Sequence, residues 1–255
     1  MKKIFISYIL IILVAGCATV KDTTKPRSGT NLNIALSEPK SEEKYQKLLY
    51  AGVELLKIGK PKEAIDEYFN PLIAYYEGHY GNNGKLVFSA RDTSEQLYYL
   101  IISASLSDQG KTAGKNTIVI SALWSRAFYF KGYSLIELGQ IKEAKNWIKK
   151  AIELSPKNST YLSELGHIYH QEKKWQDALD VFEESEDAAE TFSPDDGKII
   201  EPLRAKRGVG FSLIALNRLG EAEKKFKECI TIDKNDEKAK GELNYIQFLR
   251  TKNNQ

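Results

Sequence analysis

The chain has 255 residues and a formal net charge of +3 at pH 7, which is long enough for one extended domain. This near-neutral balance argues against a dedicated nucleic-acid binder, so no nucleic-acid partner is expected. The only two cysteines, Cys17 and Cys229, cannot form a disulfide framework, and Cys229 falls at a position expected to be buried between helices.

The first 16 residues have the pattern of an export signal. Lys2 and Lys3 precede an apolar run from Ile4 to Val14. That run is shorter than the about 20 apolar residues of a membrane-spanning helix. We therefore interpret residues 1–16 as a signal peptide that is removed.

The end of this signal, Val14-Ala15-Gly16-Cys17, resembles the lipobox of bacterial lipoproteins. The resemblance implies cleavage before Cys17 and a lipid on its sulfur, which would anchor the protein to a membrane. The residue after the cysteine is Ala18 and not Asp. By the sorting rule of these lipoproteins, Asp at this position directs the protein to the inner membrane. Ala18 therefore implies the outer membrane if the source is a diderm bacterium. A plain signal peptide that happens to contain a cysteine is the alternative.

Residues 17–43 are rich in Thr, Ser, Pro and charged residues and have no periodic apolar face. They predict a flexible, lipidated tether between the membrane and a folded part that spans 44–250.

One spacing of small and apolar residues repeats through the folded part. The best copy, 125–158, carries it at Phe128, Gly132, Leu135, Gly139, Ala144, Ala151 and Pro156. The next copy carries it at Leu162, Leu165, Gly166, Tyr169, Ala178 and Phe182. This spacing resembles the tetratricopeptide repeat (TPR), a helix-turn-helix unit of about 34 residues. The resemblance implies an all-α solenoid of about four to five helical pairs.

The spacing has a physical basis, because two helices cross closely only where a side chain is small. Gly132 and Ala144 would provide such a contact within the best copy, and Gly139 suits the left-handed end of its first helix. The units predicted in this way are 45–78, 125–158, 159–192 and 203–236, followed by a capping helix at 236–250. In the first unit, Pro71 predicts a kink in the second helix.

Two segments do not fit the repeat. Residues 79–124 are predicted as a degenerate helical hairpin, with one helix near 94–107 and a second, capped at Asn116 or Thr117, that extends backwards from the 125–158 unit. Residues 193–202 form an insertion that is either a partner contact or a solvated loop.

Two sequence patterns are weak candidates, one for a phosphate-binding loop and one for a metal-binding or enzymatic site. GKTAGKNT at 110–117 has one residue too few between its glycines for a phosphate-binding loop. Glu164, His167 and His170 share one helical face and form an alternative metal-binding or enzymatic site, although two histidines and one carboxylate do not complete a coordination sphere. No metal or cofactor is expected.

The TPR resemblance also implies which residues line the groove formed by the first helices. The predicted partner-binding residues are Arg126, Tyr129, Tyr133, Ser163, His167, His170, Arg204, Arg207 and Phe211. In the first unit the equivalent positions, which include Leu49 and Val53, are mostly apolar. Arg204 and Arg207 would suit an acidic side chain or a C-terminal carboxylate of a peptide.

These observations predict a non-catalytic scaffold rather than an enzyme. It is expected to be a lipid-anchored protein of the bacterial cell envelope that docks an envelope protein or peptide in its groove. A passive structural spacer whose groove binds nothing is the second alternative.

Overall fold

The computed structural model describes residues 39–81, 84–109 and 116–253. The predicted signal peptide, Cys17, most of the tether and the glycine-containing loop at 110–115 lie outside the described residues. None of the helices in the described part has both the length and the hydrophobicity that crossing a bilayer requires.

The described part contains eleven α-helices and two short strands. The helices are α1 (Pro39–Lys57), α2 (Pro61–Ala64), α3 (Asn70–Tyr80), α4 (Thr93–Asp108), α5 (Leu123–Glu137), α6 (Ile141–Leu154), α7 (Ser159–Gln171), α8 (Trp175–Phe192), α9 (Ile200–Ala215), α10 (Leu219–Ile232) and α11 (Glu237–Asn253). The strands are β1 (Leu86–Ala90) and β2 (Thr117–Ser121). Helix α1 begins inside the segment expected to be tether, with Pro39 at its start, where the fixed φ of proline suits a helix.

Successive helices pack as pairs, and the pairs stack, so the predicted all-α solenoid is confirmed. Helices α5 and α6, α7 and α8, and α9 and α10 form three hairpins. Helix α1 packs on the rod formed by α2 and α3, and α11 covers α10 at the other end. Among the first helices, α1 packs beside α5 and α7 packs beside α9. Tyr129 of α5 stacks on Tyr161 of α7, so these four helices form one face of the stack, the first-helix face.

The repeated glycines lie where paired helices approach most closely. A Cβ atom on Gly132 would lie 2.8 Å from Cδ1 of Ile148 in the partner helix. A Cβ on Gly166 would lie 2.6 Å from the ring of Phe182, and one on Gly210 would lie 2.6 Å from the ring of Phe226. Such separations are below van der Waals contact, so a larger residue would force the facing side chains to move.

The turns inside the hairpins share one backbone conformation. The second residue after each first helix is left-handed, at φ +73° in Gly59 and Gly139, +57° in Lys173 and +58° in Asn217. The next residue then donates its N–H back into the helix, as Gln140 does to the carbonyl of Leu135 at 2.8 Å. Two of the four turns therefore use a residue other than glycine in a conformation that glycine prefers.

The rod that follows α1 contains a π-helical turn immediately before its proline. Residues Ile65–Phe69 form this turn, and the N–H of Asn70 donates to the carbonyl of Ile65, five residues back. Pro71 has no N–H to continue the regular ladder, and its ring crowds the preceding turn. The disruption predicted at Pro71 thus takes the form of a π-turn within the helical rod.

The helical hairpin predicted for 79–124 is wrong, because the described residues after α3 form a β-α-β unit, although the helix predicted near 94–107 is confirmed as α4. Strands β1 and β2 pair in parallel, with Phe88 opposite Val119, and α4 connects them. The run predicted to extend α5 backwards forms β2, and α5 begins only at Leu123. A run of β-branched residues such as Thr117–Ile120 packs better on a sheet than in a helix.

The β-α-β unit is attached to the turn between α6 and α7. The hydroxyl of Ser155 donates to the backbone carbonyl of Ser89 in β1. The backbone N–H of Lys157 donates to the phenol oxygen of Tyr99 in α4, at 3.3 Å. These bonds fix the unit at the edge of the stack where α7 begins.

Candidate protein-binding cleft

A cleft of about 450 Å³ lies on the first-helix face, near the beginnings of α5, α7 and α9. We call it the first-helix cleft. It is bounded by the middle of α1, the first turns of α5 and α7, and the α8–α9 loop (residues 193–199). Its lining includes Leu49, Tyr50, Val53, Arg91, Arg126, Tyr129, Phe130, Thr160, Tyr161, Asp196, Ile200 and Glu201.

Aromatic side chains form the inner wall of the first-helix cleft. The rings of Tyr129 and Tyr161 stack with centroids 4.9 Å apart, and Phe130 meets Tyr129 edge to face at 5.1 Å. Burial raises the pKa of Tyr161 to about 12 and raises the pKa of Tyr129 as well. Both phenols therefore remain neutral at physiological pH and present apolar surface with hydrogen-bonding edges.

A buried ion-pair network holds the α8–α9 loop against the β-α-β unit. Arg91 contacts Glu95 at 2.7 Å through Nε and Glu201 at 2.9 Å through Nη1. Its Nη2 also donates to the carbonyl of Phe192 at 3.0 Å. The side chains of Arg91 and Glu95 are 6% and 0% exposed, and burial raises the pKa of Glu95.

Glu201 accepts further hydrogen bonds at the start of α9. The hydroxyl of Ser193 donates to it at 2.8 Å, and the hydroxyl of Ser159 in α7 donates to it as well. One carboxylate thus joins α7, α9, the α8–α9 loop and, through Arg91, the β-α-β unit. The insertion that the sequence left open as contact or solvated loop is held in place and lines the cleft.

The structure brings only part of the predicted groove set to the first-helix cleft. Arg126 and Tyr129 line it, and Tyr133 follows one turn further along α5, half-buried. Ser163 is 1% exposed, and its hydroxyl shares a hydrogen bond of 2.8 Å with that of Ser185 in α8. Ser163 therefore joins two paired helices and is not on the face that a partner could reach.

The two arginines of α9 that are predicted to bind a carboxylate of the partner are already paired with carboxylates of this chain. Arg204 pairs with Glu164 at 2.5 Å. Arg207 contacts both oxygens of Asp236 at 3.1 Å, and Asp236 also accepts the N–H of Ala239 at the start of α11. These arginines fasten neighbouring helices, so an incoming carboxylate would have to displace an internal one.

The residues of the alternative metal site do not converge. The rings of His167 and His170 are 6.1 Å apart, and Nε2 of His170 shares a hydrogen bond of 2.7 Å with Ser212. The carboxylate of Glu164 forms an ion pair with Arg204, so it is not free to bind a metal ion. Across the described residues, no three His, Cys, Asp or Glu side chains are placed to hold a metal ion.

The histidines occupy a partly apolar environment beyond the cleft. His167 meets the ring of Phe182 edge to face at 5.1 Å. Burial, together with the positive charge of Arg204, lowers the pKa of His167 to about 4, and burial also lowers the pKa of His170. Phe211, the last predicted groove residue, is exposed on α9 and rests edge to face on Phe226 at 5.9 Å.

Sequence reasoning missed the cleft residues that come from outside the repeat. Tyr50 lies between the predicted groove positions of α1, and Arg91, Ile200 and Glu201 belong to the two irregular segments. The helical repeat assigns no role to such residues. The only available signal was that 193–202 interrupts the repeat next to a first helix.

Comparisons with known proteins agree with this architecture. Residues 125–158 match the tetratricopeptide repeat model. MamA 41-end from Desulfovibrio magneticus RS-1 has a TM-score of 0.52 and 15% identity over 82% of this chain and 86% of that chain. The MamA RS-1 ArsTM double mutant aligns over the same shares at 15% identity, with a TM-score of 0.51.

A shorter structure, the first TPR of Spaghetti (RPAP3) bound to the HSP90 peptide SRMEEVD, aligns with 50% of this chain and 93% of its own. Its identity is 20% and its TM-score 0.44. No curated protein sequence matches the chain. The comparisons thus identify one repeat by sequence and the solenoid fold by structure.

Proposed function

We propose that this tetratricopeptide-repeat protein, which has the fold of TPR solenoids, is a non-catalytic scaffold that holds a segment of a partner protein in the first-helix cleft. We further propose that it acts in a bacterial cell envelope, anchored to a membrane through a lipid on Cys17. The first part rests on the structure of the cleft, and the second on the sequence of the N-terminal segment.

The observation that carries the proposal is the composition of the first-helix cleft. It combines an aromatic wall, exposed apolar side chains and arginine on a rigid stack of helices. Tyrosine and arginine are enriched among the residues that contribute most to binding at protein interfaces. A preformed cleft also lowers the conformational entropy lost when a partner binds.

Docking explains the polar groups of this face better than catalysis does. The carboxylates Glu95, Glu164 and Glu201 are each paired with an arginine. Such pairs fix helix positions, and none of these three carboxylates is free to act as an acid or base. His170 shares a hydrogen bond of 2.7 Å with Ser212, which is the contact expected of a nucleophile–base pair. Ser212 is completely buried, however, and its hydroxyl also bonds the carbonyl of Gly208, so no substrate could reach it.

Site-specific photo-crosslinking in cells tests the docking part. Benzoylphenylalanine would replace Tyr50 in the first-helix cleft or, as the matched control, Tyr245 on α11, since the two side chains are 54% and 47% exposed. We expect a discrete crosslinked partner from position 50 and not from position 245. The same products from both positions, or none from position 50, would favour the passive-spacer alternative.

The envelope part needs a separate test. A Cys17→Ala variant should leave the membrane fraction and lose incorporation of a labelled fatty acid, because a stable anchor needs the acyl chains. The Cys229→Ala variant is the matched control, since Cys229 is buried between helices. Membrane association that survives Cys17→Ala would contradict the lipid anchor without affecting the docking proposal.

A further inference from the structure

We propose that Arg126 receives a single side-chain carboxylate, an Asp or Glu flanked by large apolar residues, from a partner segment that lies across the first-helix cleft. This inference rests on the proposed docking function and specifies the chemistry of the partner.

Arg126 differs from the other arginines of the first-helix face in having no internal partner. Arg91, Arg204 and Arg207 each contact a carboxylate of the chain. Within the described residues, no hydrogen bond or ion pair engages the guanidinium of Arg126. The second arginine of the cleft, Arg91, is shared between two glutamates and is not available.

The position of Arg126 makes an anionic partner favourable. The residue is only partly exposed and lies next to the buried, neutral phenol of Tyr161. A partly desolvated cation without a counter-charge gains most when a carboxylate supplies two charge-assisted hydrogen bonds. The first turns of α5 and α7 also border the cleft, and helix N-termini favour nearby negative charge.

Apolar surface on both sides of the first-helix cleft indicates what must flank the carboxylate. Tyr50 on α1 and Ile200 at the start of α9 are 54% and 65% exposed, and both line the cleft. Large apolar side chains of a partner would cover them and remove this surface from water.

The charge balance favours one carboxylate over an acidic run. Asp196 also lines the cleft and is exposed, and no cation is paired with it in the described part of the chain. A second acidic residue of the partner would be repelled by Asp196, because like charges disfavour each other across a small cleft. A polyanionic segment therefore fits less well than a mainly apolar segment with one acid.

The stacking order favours a side-chain carboxylate over a chain terminus. Arg126 is on α5, which packs on α1 and meets α7 through the stacked rings of Tyr129 and Tyr161. The first-helix face continues past Arg126 in both directions, so a bound segment does not have to end there.

A peptide array provides the test. Synthetic peptides, amidated at the C-terminus, would carry one central Glu flanked by varied pairs of Leu, Ile, Val, Phe and Tyr. Each peptide would have a twin with Gln, which keeps the shape and removes the charge. A third set would have central Gln and a free C-terminal carboxylate. The proteins are the full chain as the wild type, Arg126→Gln and, as a matched loss of one arginine, Arg250→Gln.

We expect members of the Glu set to bind the wild type and Arg250→Gln at least about tenfold more tightly than their Gln twins. In Arg126→Gln this preference should disappear while the weak binding of the Gln twins is retained. Preference for the third set would mean recognition of a C-terminus and would overturn the inference. Equal binding of Glu and Gln twins, or no binding by any set, would also overturn it.

The photo-crosslinking test at position 50 separates this outcome from failure of the docking proposal. A partner crosslinked from position 50 with equal yield in the wild type and in Arg126→Gln would leave the scaffold function intact and remove only the role of Arg126. Loss of crosslinking in the wild type itself would remove both.

Discussion

Arg91 and Glu201 are 110 residues apart in sequence and form a contact of 2.9 Å that joins the two segments that interrupt the repeat. Arg91 follows β1, and Glu201 lies in the first turn of α9. The pair therefore holds the β-α-β unit against the loop that bounds the first-helix cleft. The edge of the proposed binding surface depends on this contact.

Replacing Arg91 by Met should destabilise the protein and loosen the α8–α9 loop. Glu95 would remain buried without its counter-charge, which typically costs about 3–5 kcal/mol, and Glu201 would lose its pairing as well. Urea unfolding followed by far-UV circular dichroism would measure the loss. Limited proteolysis should show faster cleavage within 193–199.

Arg250→Met is the control for that experiment. Arg250 pairs with Glu223 at 2.6 Å, but its side chain is 43% exposed, so its loss should cost less than about 1 kcal/mol. Equal effects of the two substitutions would mean that the Arg91 network adds no more than a surface ion pair.

Replacing Gly166 by Ala should destabilise the α7–α8 hairpin. The new Cβ would lie 2.6 Å from the ring of Phe182, which is completely buried and cannot move aside without displacing its neighbours. Overpacking of this kind costs about 1–3 kcal/mol. Thermal or urea unfolding would detect it.

Gly241→Ala is the matched substitution for comparison. Gly241 lies inside α11, and a Cβ there would meet nothing within 4 Å. Because alanine is the better helix former, this variant should be about 0.5–1 kcal/mol more stable. If both alanines stabilise, the α7–α8 crossing does not need a glycine.

The glycine positions also explain how much of the fold could be predicted. Gly132, Gly166 and Gly210 act through the helix that directly follows, so their spacing encodes each hairpin locally. The strand Thr117–Ser121 is different, because its partner β1 lies across a whole helix. A short apolar run does not by itself distinguish a strand from a buried helix, which is why 79–124 was mispredicted.

The same distinction applies to the candidate site. Arg126 and Tyr129 could be predicted because the repeat fixes which face of α5 they share. Glu201 and Arg91 could not, because their contact depends on how two irregular segments are placed. The repeat pattern did suggest that Arg204 and Arg207 are free to bind a carboxylate of a partner. It carries no information about the carboxylates of this chain that already pair with them.

Replacing Lys173 by Gly should stabilise the α7–α8 turn. Lys173 has φ +57°, in the same turn position where Gly139 has φ +73°. A left-handed conformation costs a residue with a Cβ about 1 kcal/mol, which is partly offset because glycine loses more entropy on folding. We expect a net gain of roughly 0.5 kcal/mol in urea unfolding.

The reciprocal variant, Gly139→Lys, checks the cause. It should lose about as much stability as Lys173→Gly gains, because the two turns have the same hydrogen bonds. A stabilising Gly139→Lys would show that the backbone conformation is not what limits these turns.

Because His167 is largely buried, we expect the protein to lose stability in mild acid. Its pKa is lowered from 6.5 to about 4, first by burial and then by the charges of Arg204, His170 and Lys238. Between these two values the unfolded chain binds a proton that the folded chain excludes, so stability rises with pH in this window. The stability that the protein gains from keeping His167 neutral is fully present above pH 6.5 and is lost as the pH falls towards 4.

Urea unfolding at pH 7.5 and pH 5 would measure this effect in the wild type and in His167→Gln. The wild type should lose roughly 1–2 kcal/mol more than the variant on acidification, because glutamine of similar size has no proton to bind. His170→Gln should remove a smaller part, since only burial lowers the pKa of His170. If the wild type and His167→Gln have parallel pH profiles, the imidazole of His167 is accessible enough to be protonated in the folded state. The contact between its ring and Phe182 would then open at ordinary pH.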